Sequence, residues 1–158
     1  MLLNFEIFEK LKNNIEITVI VKDINIKKSK NIRKDSIKSI FKGEHKFYDI
    51  CVDGEVDDLK IKDKEIGYIE YVQSGNSIEI ISAFVDNLFR GKSIGEKSVE
   101  DLKNEIKNLE NVIMLVTNES RKFWVEKCGA KKLSEEDFDK FCDNGVKYDE
   151  DYYIIKVD

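Results

Sequence analysis

Six residues near the middle of the chain, Arg90-Gly91-Lys92-Ser93-Ile94-Gly95, have the composition of an anion cradle. They follow a strand-like run, Glu79 to Val85 (EIISAFV), across the short link DNLF, and they open a helix-patterned segment, EKSVEDLKNEIKNL. Unpaired backbone N–H groups and the positive end of a helix then converge on one loop, which is a place to hold phosphate. Arg90 and Lys92 add cationic charge there in a protein whose net charge is -5. Gly95 lets the helix approach phosphate and sheet closely. Ser93 keeps its amide for the cradle and adds a hydroxyl that caps the helix, bonds a phosphate or narrows the loop. Other chemistry is thinly represented. Cys51, Cys128 and Cys142 are widely spaced without a CxxC, and the single histidine, His45, completes no metal set, so no metal site is expected. His45 stands beside Lys46 and Phe47 at a strand start and reads as structural or solvated. No GxxxxGK[ST] phosphate loop occurs.

The elements that must position this loop fit one domain, residues 1–158, because a chain of 158 residues with 41% hydrophobic residues buries one proper core. Lys and Arg number 27 against 32 Asp and Glu, mixed along the chain, which argues against a nucleic-acid partner and mildly favours cationic partners such as amines. The first residues carry charges inside their apolar run and form no signal peptide, and no segment reaches the length of a membrane span. A soluble, cytoplasmic protein with reduced cysteines and no membrane partner is therefore expected. Proline is absent and glycine numbers only 8, a compositional bias toward Lys, Ile, Asn and Glu that removes the usual punctuation between elements.

Leu2, Leu3, Phe5, Phe8 and Leu11 recur at helical spacing, although a strand remains open there. Ile15 to Ile26 alternates as a first strand, and Ser29 to Phe41 has Ile32, Ile37 and Ile40 at helical spacing. Lys46 to Val52, Val56 to Ile61 and Glu65 to Gln73 read as three strands of a meander, with turns at Asp53-Gly54 and near Asp63-Lys64. Ile78 to Val85 is the central strand. Helical periodicity runs from Ile94 through Val99, Leu102 and Ile106, and Val112 to Thr117 suits a buried strand. Ser120 to Lys127 reads as a short helix capped by Asn118 or Ser120, Ala130 to Leu133 as a strand, Glu135 to Phe141 as a helical turn or two, and Tyr152 to Val157 as a last strand. The order implies an α/β mixed sheet, mostly antiparallel, with one strand-helix-strand crossover in its middle and flanking helices.

At this point the chain resembles the GNAT family, the acetyl-coenzyme A dependent N-acetyltransferases. Their strand leads into Gln or Arg, two residues, Gly, one residue, and Gly or Ala at a helix start. Arg90 and Gly95 match that pattern and Ser93 replaces the middle glycine. A second block, an asparagine followed by an aromatic-x-x-Lys-x-Gly ending, is echoed from Asn118 to Gly129 in NESRKFWVEKCG. The resemblance covers Ile66 to Lys132 and implies a central sheet splayed between two strands, with coenzyme A in the gap.

It further implies that the backbone of Phe84 and Val85 holds the pantetheine arm and that Gly91, Lys92, Ser93, Ile94 and Gly95 wrap the pyrophosphate. Asn118 either bridges the arm and its helix or is a helix cap. The expected activity is transfer of an acetyl group from acetyl-CoA to a primary amine of a small molecule or protein, by a monomer or homodimer. Glu79 matches a strand glutamate that serves as base in histone-type relatives, and strict alternation would put it on one face with Ile81, Ala83 and Val85. Burial would raise its pKa. Val125 stands where many relatives carry a proton-donating tyrosine. Three alternatives follow: the thiolate leaves unassisted, Tyr148, Tyr152, Tyr153 or Cys128 substitutes, or the fold binds acyl-CoA without turnover. Trp124 reads as core.

Overall fold

The structure, a computed structural model, describes residues 5–29 and 37–158. Its largest local unit is a hairpin of β2 (His45–Val56) and β3 (Leu59–Ser74). The hairpin closes at Asp57 and Asp58, both at positive φ (48° and 68°), as a two-residue turn needs if its twist is to match that of the strands. Two long strands thus replace the three expected between Lys46 and Gln73. Gly54 does not turn the chain but sits inside β2, where a Cβ would lie 2.0 Å from the carbonyl oxygen of Ile20 on β1 (Val19–Lys28). Asp63, at φ 51°, accompanies a register shift opposite Val52 to Gly54 rather than a turn.

β4 (Ser77–Val85), β5 (Asn111–Leu115), β6 (Lys131–Lys132) and β7 (Tyr152–Lys156) complete a sheet of order β1-β2-β3-β4-β5-β7-β6. β4 and β5 are parallel, joined through α2 (Ile94–Glu105), and the other neighbours are antiparallel. This is the mixed sheet with one crossover that the pattern implied.

Each face of the sheet carries its own core. On the α2 side Ile50, Ile69, Ile78 and Ile80 pack with Val99, Leu102 and Trp124. On the other side Val72, Ile113 and Ile154 pack with Ile40, Phe41 and with Phe138 of α3 (Glu135–Phe141), whose cap is Ser134. A helix over Ser29 to Phe41 falls mostly on residues outside those described, and Ile37 to Phe41 are not helical. At the start of the chain α1 (Phe5–Lys12) confirms a helix, with Leu2 and Leu3 outside the described residues. Its Lys10 pairs with Asp57, which also accepts from the Thr18 amide. The short helix expected from Ser120 to Lys127 is present as a π-helix over Lys122–Lys127. No helix among the described residues is long and apolar enough to cross a membrane.

Candidate active site

β4 pairs with β3 along its whole length, but with β5 only from Ser77 to Ile80. Beyond Ile80 the two parallel strands part, and β4 presents an edge with no strand beside it among the described residues. Backbone groups on such an edge require partners. One is supplied locally: Arg90 Nε donates to the Val85 carbonyl at 2.9 Å, with the guanidinium 5.5 Å from the Phe84 ring centroid.

The loop after β4 is built by a short 3₁₀ turn, Asn87–Phe89, capped by Asp86, whose carboxylate accepts from the Leu88 amide at 3.1 Å. Phe89 is fully buried and anchors it. Gly91 at φ 79° and Ser93 at φ 59° then turn the chain into α2, leaving the amides of the first helical turn without intrahelical acceptors. Ser93 makes no side-chain cap hydrogen bond, so the capping role open to its hydroxyl is not taken. Its backbone occupies the left-handed region that glycine adopts freely, which is the physical reason a glycine suits that position. Gly95 also serves the packing behind the loop. A Cβ there would lie 2.8 Å from Phe123 Cε1, so the glycine makes room for an aromatic ring.

These parts enclose a cavity of about 440 Å³, walled by Ala83, Val85, Phe89, Gly95, Phe123 and Trp124. Arg90, Gly91 and Ser93 lie on it toward the helix start, with Glu96, Glu119 and Lys127. Lys127 Nζ stands 3.8 Å from Glu96 Oε1, which tempers the acidic charge there. Of the residues read from sequence, Phe84, Val85, Arg90, Gly91, Ser93, Ile94 and Gly95 meet at this cavity. Lys92 and Asn118 are exposed and outside its lining, while Glu119 and Ser120 line it. Trp124 is core, as read, and also cavity wall. The π-helix turns this wall inward: the Cys128 amide reaches back to the Phe123 carbonyl at 3.0 Å, a five-residue span of a kind that recurs at functional sites.

Glu79 lies elsewhere. A bulge in β4 sets Ser82 opposite Glu70 but Ile80 opposite Tyr71, so Ile81 is an extra residue and strict alternation fails. Ile80 and Val85 face the α2 side, whereas Glu79 and Ile81 face the second core. The expectation that Glu79, Ile81, Ala83 and Val85 share a face is therefore corrected. Glu79 is 3% exposed, and its Oε1 accepts from Ser39 Oγ and the Ile40 amide, each at 2.8 Å. Burial pushes its carboxyl above the ordinary range, against the opposing pull of those two donors and of nearby His45. Glu79 sits one residue before Ile80, where β4 leaves β5, so its side chain borders the mouth of the split on the face away from α2.

That face holds a pair the sequence reading passed over. His45 Nδ1 lies 2.6 Å from Glu70 Oε2, with the glutamate side chain 7% exposed and the histidine 28%. The signal was present in the sequence as a carboxylate between Ile69 and Tyr71 inside an apolar strand. The proton donors considered in place of a tyrosine at Val125 are poorly set for the task. Burial and the charge of Glu79 push the Tyr152 phenol to about 12, and burial pushes the Cys128 thiol to about 11. Both stand well above the roughly 8.5 of a thiol, so donating to a thiolate runs uphill. Tyr148 donates to the Leu133 carbonyl at 3.2 Å, and Tyr153 lies on the other face beneath Arg121.

No protein-family model matches the chain, and no curated protein matches it. Solved structures do. GCN5 from Tetrahymena aligns with TM-score 0.55 at 19% identity, covering 72% of this chain and 69% of that one. An IAA acetyltransferase from Bacillus cereus aligns with TM-score 0.54 at 15% identity over 85% of this chain and 100% of that one. A GNAT family acetyltransferase from Elizabethkingia anophelis, solved with acetyl-CoA bound, aligns with TM-score 0.53 at 14% identity over 86% and 100%. With its parallel strands splayed beyond Ile80 and a glycine-bearing loop opening the crossover helix beside the gap, this chain has the fold of the GNAT acetyltransferases.

Proposed function

We propose that this protein transfers an acetyl group from acetyl-CoA to a primary amine of a small molecule or protein. The observation that carries the proposal is the opening of the unpaired β4 edge and the free amides at the start of α2 into one cavity. A thin arm rich in amides matches the first, and a pyrophosphate matches the second. Acetyl-CoA has both, so the residues present fit it; when bound, it supplies an activated acyl carbon and a thiolate leaving group.

The residues then divide the work. Backbone groups of Phe84 and Val85 hold the arm, for which Arg90 must release the Val85 carbonyl. The freed guanidinium, with Lys92, adds positive charge beside the amides of Gly91 and of Ser93 to Gly95. Trp124 and Phe123 exclude water from the wall. On the far side of the split Glu79, directly or through water, takes the proton of the acceptor amine, its raised pKa suiting that task.

The test is a panel of amines and N-terminal peptides with acetyl-CoA, scored by acceptor-dependent free-thiol release. A second reading, acyl-CoA binding without turnover, is favoured by Val125 and by the high pKa values of Tyr152 and Cys128. Saturable cofactor binding with no thiol release from any amine would establish it instead.

A further inference from the structure

A carboxylate that is 3% exposed can accept a proton only if something takes that proton away before the next turnover. The groups that face Glu79 are few among the described residues. The Ser39 hydroxyl and the Ile40 amide are donors already committed to Oε1, and the hydroxyl itself accepts from the Phe41 amide at 3.0 Å. The Tyr152 phenol, from β7, is pushed up to about 12, so it keeps its own proton near neutrality and takes none from Glu79. Ile113 and Val72, on the neighbouring strands, are apolar. His45 remains, from β2, close enough for its charge to act on Glu79.

The register fixes this relationship. His45 pairs with Val72 and Val72 pairs with Glu79, so histidine and glutamate stand in one row on one face, two strand spacings or roughly 10 Å apart between backbones. Val72 is fully buried between them, so a proton passing from one to the other would have to cross beside it by way of water. Glu70, one row away on β3, shares that face and holds Nδ1 at 2.6 Å. No lysine or arginine pairs with Glu70 among the described residues, and a carboxylate buried this far is stabilised by a donor or a cation, which His45 supplies. Nδ1 is then the protonated nitrogen of the neutral ring, leaving Nε2 as the acceptor. The ring is partly exposed, so it meets solvent as well as the buried row.

We infer that His45, oriented by Glu70, carries the acceptor's proton from Glu79 to solvent. The inference rests on the acyl-transfer reading above. The balance is simple: the amine N–H proton moves to the Glu79 carboxylate and then to His45 Nε2. The imidazolium, paired with Glu70, releases it to water, and both side chains return to their starting states. Glu70 is a positioning residue in this scheme, and His45 a relay.

Two measurements on the full chain test it. The chain has a single histidine, so its imidazole ¹⁵N resonances need no assignment. The neutral ring should show the Nδ1–H tautomer, and Glu70→Gln should shift it toward Nε2–H; an Nε2–H ring in the unsubstituted protein overturns the inference. In weak buffer, His45→Ala should lower acceptor-dependent turnover by about 10²-fold with acetyl-CoA binding unchanged, and added imidazole should restore much of the loss. Undiminished turnover in His45→Ala, or a loss that imidazole cannot restore in a folded variant, overturns the relay alone. No thiol release by the unsubstituted protein with any amine overturns the acyl-transfer reading and the relay with it.

Discussion

Glu79 and Val85 lie on the same strand yet face opposite sides of the sheet, because the extra residue Ile81 breaks the alternation between them. One strand thereby serves two compartments, the cavity beside α2 and the buried face beside His45. Glu79→Gln should accordingly lower turnover by about 10²–10⁴-fold while calorimetry finds acetyl-CoA affinity unchanged, with the deficit shrinking as pH rises and free amine becomes plentiful. A parallel loss of affinity would contradict this separation of faces.

Stability should report the same carboxylate independently of any substrate. Burial raises the folded pKa of Glu79 above its ordinary 4.5, so the folded state holds this proton more tightly than the unfolded chain does. That contribution is fully present below the unfolded value and is lost as pH rises through the folded one. Glu79→Gln keeps an oxygen for Ser39 and Ile40 but has no proton to lose. Urea midpoints of the two proteins should therefore diverge as pH rises above the ordinary carboxylate value, with the glutamine variant gaining. Midpoints that stay parallel would show that the burial cost is already compensated.

Ser93 occupies a left-handed backbone at φ 59° and its hydroxyl caps nothing. Ser93→Gly should raise stability by about 1 kcal/mol by relieving that conformation. Ser93→Ala, which keeps the strain and loses no side-chain bond, should stay within about 0.5 kcal/mol. Chemical denaturation separates the two cases, and a destabilised alanine variant would reveal a bond to the hydroxyl.

Gly95 and Phe123 are matched in size, since a Cβ on the first would lie 2.8 Å from the second. Gly95→Val should push the ring into the cavity and weaken acetyl-CoA binding at least tenfold, about 1.4 kcal/mol, while the fold survives. Phe123→Leu in the same chain should recover part of the loss. Titration calorimetry on both variants decides it; an unaffected Gly95→Val would remove the ring from the cofactor wall.

Much of the architecture was legible because it rests on periodicity. The helix from Ile94, the buried strand at Val112 and the last strand with Tyr153 and Ile155 on one face all follow from spacing alone. The errors have local causes. Asp57-Asp58 turned the hairpin where Asp53-Gly54 carried the commoner turn signal, and Gly54 was needed instead for close approach to Ile20. The bulge at Ile81 leaves no compositional trace, so alternation misassigned the faces of β4. The loop from Arg90 to Gly95 was legible as the link into the crossover helix, because it stands between a strand pattern and a helical period. Phe123 and the His45–Glu70 pair were not, since each acquires meaning only from residues far away in sequence.

The parting of β4 from β5 also bears on how the molecule behaves among copies of itself. An unpaired strand edge ordinarily invites a neighbour's strand and so promotes aggregation. Here the edge lies inside a slot between two strands of one sheet, with Phe123 and Trp124 along one wall and Arg90 bonded to its last carbonyl. The cover that Phe123, Trp124 and Arg90 give this edge leaves less of it open to the strand of a second copy.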